Sequence, residues 1–197
     1  MRARRVVVFV IVAGMAGVAG GLKYASVRDD LTHQRQAIEE HWLRVESALG
    51  RRSDTLPSLM EAVRKHIPNI VQDEIGTARG KLTAAHGPDQ KIRANRELSL
   101  AIAKLLLQCD LDPKVRQSAA FKQLREGLAA HEDDIANERF QYNDQLEHYN
   151  ARIQRFPDNV VASLAGFSRN DAYFSTGPDS IPASKKPEQA DSKAHSR

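Results

Sequence analysis

The sequence predicts an all-α protein, in which an N-terminal transmembrane helix continues into an elongated up-and-down antiparallel four-helix bundle. Three observations carry this. Residues 6–22 (VVVFVIVAGMAGVAGGL) hold no charge. Beyond them, apolar residues recur in steps of three and four along four stretches, with turn-forming residues between. Aromatics are only 6% of 197 residues, which leans away from a β-sandwich and toward helices. The expected organisation is a basic stub at 1–5, a transmembrane helix at 6–23, a bundle at 24–174 and a disordered tail at 175–197.

The uncharged run makes about 25 Å of helix at ~1.5 Å per residue, the short edge of a bilayer span. Tyr24 suits an interface and Lys23 can snorkel to extend the span. A cleaved signal peptide is the rival reading, with a basic start and small residues near Ala19 and Gly20. The run is longer than most signal cores, and helical polarity resumes directly after it, which favours a retained anchor. Both readings give one orientation. Arg2, Arg4 and Arg5 precede the run, while Lys23 and Arg28 after it are offset by Asp29 and Asp30. The N-terminus then lies in the cytoplasm and the rest lies in the periplasm, outside the bacterial inner membrane. Ala13, Gly17 and Gly21, four apart, line one face of this helix and allow close packing with a second copy.

The first apolar stripe is Val27, Leu31, Ile38, Trp42, Val45 and Leu49, continuing the anchor helix to about Arg52. Ser53-Asp54-Thr55-Leu56-Pro57 reads as a cap followed by Pro in a first turn. The second stripe runs from Leu56 through Met60, Val63, Ile67, Ile75 and Ala78 to Leu82, with a break at Pro68. His86-Gly87-Pro88-Asp89 is the clearest turn. The third stripe is Ile92, Leu98, Ile102, Leu105 and Leu106, ending at Cys109–Pro113. The fourth, from Phe121 through Leu128, Ile135, Tyr142 and Tyr149 to Phe156, is the strongest. It predicts a helix of about 40 residues ended by Pro157, packed knobs-into-holes. An apolar segment, Val160 to Phe174, is expected to cap the bundle or meet a neighbour. From Ser175 the Pro, Ser and Lys content is too polar to order itself.

Charge narrows the partners. The net +4 is supplied by the three N-terminal arginines and by an excess of one in the tail, which leaves residues 6–174 neutral overall. No basic excess remains for gripping a polyanion, so a nucleic-acid partner is disfavoured. Cys109 is alone, which excludes an intramolecular disulfide and a cysteine zinc cluster. No phosphate-cradling glycine loop or nucleophile elbow occurs. His131-Glu132 is not a zinc helix, because Ile135 stands where the second His must be. His41, His66, His131 and His148 lack the Glu three positions earlier that a di-iron bundle requires. The expectation is therefore no enzyme, no catalytic residue, no cofactor and no metal.

Polar residues beside the seams are the remaining candidates. Glu132, Arg139, Asn143 and Asn150 flank the fourth stripe, and Arg51, Arg52 and Asp54 lie at the first corner. They are either a solvated face, or a buried network in which Arg139 meets an acid from another helix and fixes register. In the second case, Arg139→Met loosens the bundle.

Tyr142-Asn143 and Tyr149-Asn150 stand two helical turns apart and are followed by Phe156-Pro157. With Phe121, Leu124, Leu128, Glu132, Ile135 and Arg139 upstream, this pattern resembles the LemA family. The run Trp42, Val45, Glu46, Leu49, Arg51-Arg52, Asp54, Pro57 is similar to the family's first corner. Ala78-Arg79, Ala162 and Gly166-Phe167 also match, so the likeness covers about residues 24–174. Ser58 replaces the family's Asn, Gly50 replaces a Lys, and the turn at Cys109–Pro113 lacks a Tyr. The resemblance implies a single-pass bacterial membrane protein with a helical bundle and no established activity, some members being associated with internal membranes.

The expected function is a self-associating scaffold of the cell envelope, with the lipid bilayer, a second copy and other envelope proteins as partners. Trp42, Arg52, Asp54 and Pro57 would organise the first corner. Glu132, Arg139, Tyr142, Asn143, Tyr149 and Asn150 would brace the seam. The alternative is a ligand-binding or sensory module using a polar site between helices.

Overall fold

The computed structural model describes residues 2–174, with the side chains of residues 2–13 and of Ala16 outside the description. The tail expected to be disordered and the Ala13 contact face lie outside the described residues. The protein is all-α, with no strand among the described residues. Six helices are seen: α1 (Arg2–Glu61), α2 (Asn69–Ala84), α3 (Gly87–Leu111), α4 (Pro113–Arg116), α5 (Ala119–Arg152) and α6 (Asp158–Ala165), with a 3-10 turn at Arg64–His66. Among the described residues no helix is long and apolar enough to cross a membrane, so the span expected over residues 6–23 is not shown.

The chain divides into two units. One comprises residues 2–43 with 141–173, and the other residues 44–140 with Phe174. In the second unit, ion pairs give the helix directions. Arg44 pairs with Glu138 and Arg51 with Asp134, so α1 and α5 run antiparallel. Lys81 pairs with Glu97 and Lys104 with Glu74, so α2 and α3 are antiparallel too. The apolar stripes meet inside: Leu49, Leu56, Ile75, Leu82, Leu98, Ile102, Leu105, Phe121, Leu124, Leu128 and Ile135 are all buried. Gly127 allows α5 to pass close to α1, where an added Cβ would lie 2.9 Å from a methyl of Leu59.

The first corner is not where the sequence placed it. α1 continues through Ser53–Pro57 to Glu61, and the chain turns at residues 62–68. Pro57 has no N–H to donate to Ser53 O, four residues back. Arg79 of α2 supplies the missing donor, its Nε lying 2.8 Å from Ser53 O. Leu56 and Met60 remain on α1's buried stripe and hold the last turn in place. The breaks at Gly87 and at Asp112 fall as expected, whereas the end of the last long helix does not. Gly87 opens α3 at φ +70°, and Pro88 follows in its first turn. Asp112 caps α4 by accepting from the Lys114 N–H at 2.9 Å. α5 stops at Arg152, five residues before Pro157, so Phe156 lies beyond the seam and is exposed.

Candidate functional site

Arg51 and Arg52 are adjacent on a helix, so their side chains diverge by about 100°. Arg51 points outward to Ser47 Oγ at 2.8 Å and to Asp134. Arg52 shares the stripe of Leu49 and Leu56 and is wholly buried, 0% exposed. Its Nη1 donates to the Glu132 carboxylate of α5 and to Ser99 Oγ of α3 at 3.2 Å. Its Nη2 donates to Asn95 Oδ1 of α3 at 2.6 Å. A charge taken out of water is tolerated only with a counter-charge and hydrogen bonds, and this set supplies both. Its members are buried, so the chemistry open to them is to fix the register of three helices. Glu132 was among the seam candidates and Arg52 was placed at a corner; the structure brings them together. Asn95 and Ser99 are not among the sequence's candidates, and the structure adds them. Their signal was polar spacing of four directly beside Leu98 and Ile102.

Arg139 is half-buried, with its guanidinium 4.8 Å from the Phe174 ring centre. The buried acid–arginine pair thus centres on Arg52. Asp54 and Pro57 are exposed within α1 and organise no corner.

The Tyr-Asn pairs lie in the first unit. Tyr142 packs against Trp42, ring centres 5.4 Å apart and tilted 58°. Tyr149 Oη donates to Ser168 O at 2.9 Å. Asn150 holds both backbone groups of Asn170: its Nδ2 donates to the carbonyl at 2.6 Å and its Oδ1 accepts from the N–H at 3.0 Å. Its Nδ2 also reaches Tyr173 Oη at 2.8 Å. Burial pushes the Tyr149 phenol up, against the pull of Arg35. Asn143 is half-buried. Arg152 Nε donates to Asp158 and Nη2 to Asp30, both at 2.8 Å. Those bonds, Asp158's first, hold its guanidinium above the ordinary arginine value. Together these residues latch the segment after α6 onto α5.

One open cleft of about 460 Å³ in this unit is lined by Arg28, Thr32, Arg35, Gln36 and Glu39 with Ala165 and Phe167. Arg35 sits 5.8 Å over the Phe167 ring. Among the described residues no group of three or more His, Cys, Asp or Glu is placed to hold a metal. In the N-terminal part of α1, Gly17 and Gly21 are exposed, and a Cβ there would meet nothing within 4 Å beyond the local helix backbone.

An all-helical chain closed by a buried Arg–Glu lock and a Tyr-Asn latch defines a helical-bundle protein. The chain belongs to the LemA family, which it matches over residues 41–188. It is also similar to two proteins of Paramagnetospirillum magneticum, magnetosome protein MamQ 1 and magnetosome protein MamQ 2. Each is 31% identical to it over 78 residues, 40% of this chain. The matched stretch spans 28% of each relative's own length.

Proposed function

We propose that this protein is a membrane-anchored helical scaffold of the bacterial cell envelope that self-associates and catalyses no reaction. The observation that carries it is the continuity of α1, a single helix from Arg2 to Glu61 that runs from the uncharged residues 6–22 into the packed stripe. Such a helix ties whatever the stripe packs against to the bilayer. The best-built polar groups support a structural role, since both Nη groups of Arg52 and the side-chain amide of Asn150 bond to other parts of the fold. Family membership supports the same reading, and the relatives' names attach them to the magnetosome and not to a reaction. In this reading residues 6–23 span the inner membrane with the N-terminus inside. Residues 24–174 lie in the periplasm, and Ala13, Gly17 and Gly21 pack against a second copy.

The test is crosslinking in native membranes, followed by sizing of the detergent extract and by a reporter fused after Arg197. Multimers and activity of a periplasm-specific reporter are expected. A monomer would remove self-association, and activity of a cytoplasm-specific reporter alone would remove the orientation. A second reading, a ligand-binding module, is favoured by the cleft beside Arg28 and Arg35. A raised melting temperature with small envelope anions would support it.

A further inference from the structure

α6 leaves part of its apolar surface bare. Val161 and Ala162 are buried, whereas Val160 is 49% exposed and Leu164, one turn later, 73%. Phe156, four residues before Val160, is 78% exposed. Single exposed apolar residues are ordinary, but Val160 and Leu164 lie one turn apart on one face of α6, and a third bare side chain, Phe156, stands in the turn just before it.

Contacts within the first unit locate that surface. α5 descends along α1, with Tyr142 against Trp42 and Arg152 bonded to Asp30. After α6 the chain climbs again: Phe167 lies at Arg35, Ser168 O at Tyr149 and Asn170 at Asn150. Residues 153–165 are therefore the lower turn of this unit, on the side from which residues 6–22 depart. Only eight residues, about 12 Å of helix, separate Leu22 from Asp30. The headgroup layer of one leaflet occupies roughly 5–8 Å of that distance.

The charges there suit a lipid surface. Arg152 pairs with both Asp30 and Asp158, so one of the two carboxylates is offset and the group keeps a single negative charge. Lys23, Arg28 and Arg155 are exposed nearby, against the exposed Asp29. With the triad's charge counted, these groups keep a small positive excess, and a bare apolar row with such an excess suits an interfacial helix on anionic lipid.

We propose that Phe156, Val160 and Leu164 dock on the periplasmic surface of the same bilayer that residues 6–22 enter, with Arg28 and Arg155 against lipid phosphates. The proposal rests on the membrane-anchored reading and adds a second lipid contact, which holds the first unit at the interface.

The experiment uses the full chain in vesicles of phosphatidylethanolamine and phosphatidylglycerol. Single cysteines are placed on a Cys109→Ala background as Val18→Cys, Ser58→Cys, Val160→Cys and Leu164→Cys, each carrying a fluorescent label. Nitroxide lipid and aqueous iodide serve as the two quenchers. The labels at 18, 160 and 164 are expected to be quenched by the lipid nitroxide at least about twofold more than the label at 58. Lipid quenching at 18, with iodide alone reaching 160 and 164, overturns the docking and leaves the anchor. No lipid quenching at any site overturns both. Labels at 160 and 164 shielded from both quenchers show a second copy or another protein on the face, and also overturn the proposal. Lipid quenching at 160 and 164 without 18 removes the span and overturns the proposal, which needs residues 6–22 in the same bilayer.

A label-free measurement covers the case in which the Cys109→Ala chain does not fold. Trypsin cleavage after Arg155 of the unmodified chain is expected to be at least about fivefold slower in vesicles than in detergent. Val160→Asp with Leu164→Asp, both at exposed positions, should abolish that protection. Equal cleavage in vesicles and in detergent would overturn the docking.

Discussion

Arg52 shows how one residue can be noticed in a sequence and still be misplaced. Its pairing with Arg51 marked it as unusual, but only the α1 stripe decides that Arg51 goes out and Arg52 goes in. Once buried, its charge depends on Glu132. Glu132→Ala is expected to cost about 3–5 kcal/mol, because it strands the guanidinium. Arg52→Met combined with Glu132→Leu should recover most of that loss, and urea unfolding followed by circular dichroism would measure both. A double variant as unstable as the single one would show that packing, not charge, holds the site. Cys109 gives a pH signature. Burial, with a lesser contribution from Asp110, pushes its thiol up to about 11 from an ordinary 9.0. The native state then keeps a proton that the unfolded chain releases. This contribution to stability is intact below about pH 9 and is lost as pH rises toward 11. Melting curves of the wild type and of Cys109→Ala should therefore differ in slope only within that window.

At the scale of elements, the lesson is Pro57. A proline preceded by Ser and Asp ordinarily marks a helix start, and the local signal predicts one here. The helix continues because Leu56 and Met60 stay on the buried stripe and because Arg79 satisfies the carbonyl that the proline leaves open. Arg79→Met should cost about 1 kcal/mol. Pro57→Ala restores a backbone donor for Ser53 O, so the same Arg79→Met change should cost less in that background. A coupling of zero in the four-variant cycle would show that the Arg79 bond does not compensate for the proline. The Asn150 latch is a second case. The spacing of Tyr142-Asn143 and Tyr149-Asn150 is plain in the sequence, but the partners of Tyr149 and Asn150 lie some twenty residues later in an irregular segment. Asn150→Ala should release residues 166–173, and amide exchange at Asn170 should quicken well before the bundle opens.

At the scale of the molecule, the proposals concern lipid and a second copy. If Gly17 and Gly21 form a packing face, Gly17→Leu with Gly21→Leu should abolish anchor-dependent crosslinks without changing the melting of the helical domain, since neither glycine touches another side chain. Persistence of the crosslinks would move self-association elsewhere on the chain.

The sequence by itself determined that the chain is helical, where three of its breaks fall and which side of each long helix is apolar. Those properties are local, set by a period of about 3.6 residues and by Gly and Pro. The family, too, was legible in ordered short motifs. Tertiary structure decided which polar residues enter the core, because burial of Arg52 depends on Asn95, Ser99 and Glu132 arriving from other helices. It also decided that α1 outruns its proline, since the compensating donor comes from α2. And it left Phe156, Val160 and Leu164 uncovered: their periodicity is that of core residues, but α5 ends at Arg152 and no described helix comes back to bury them.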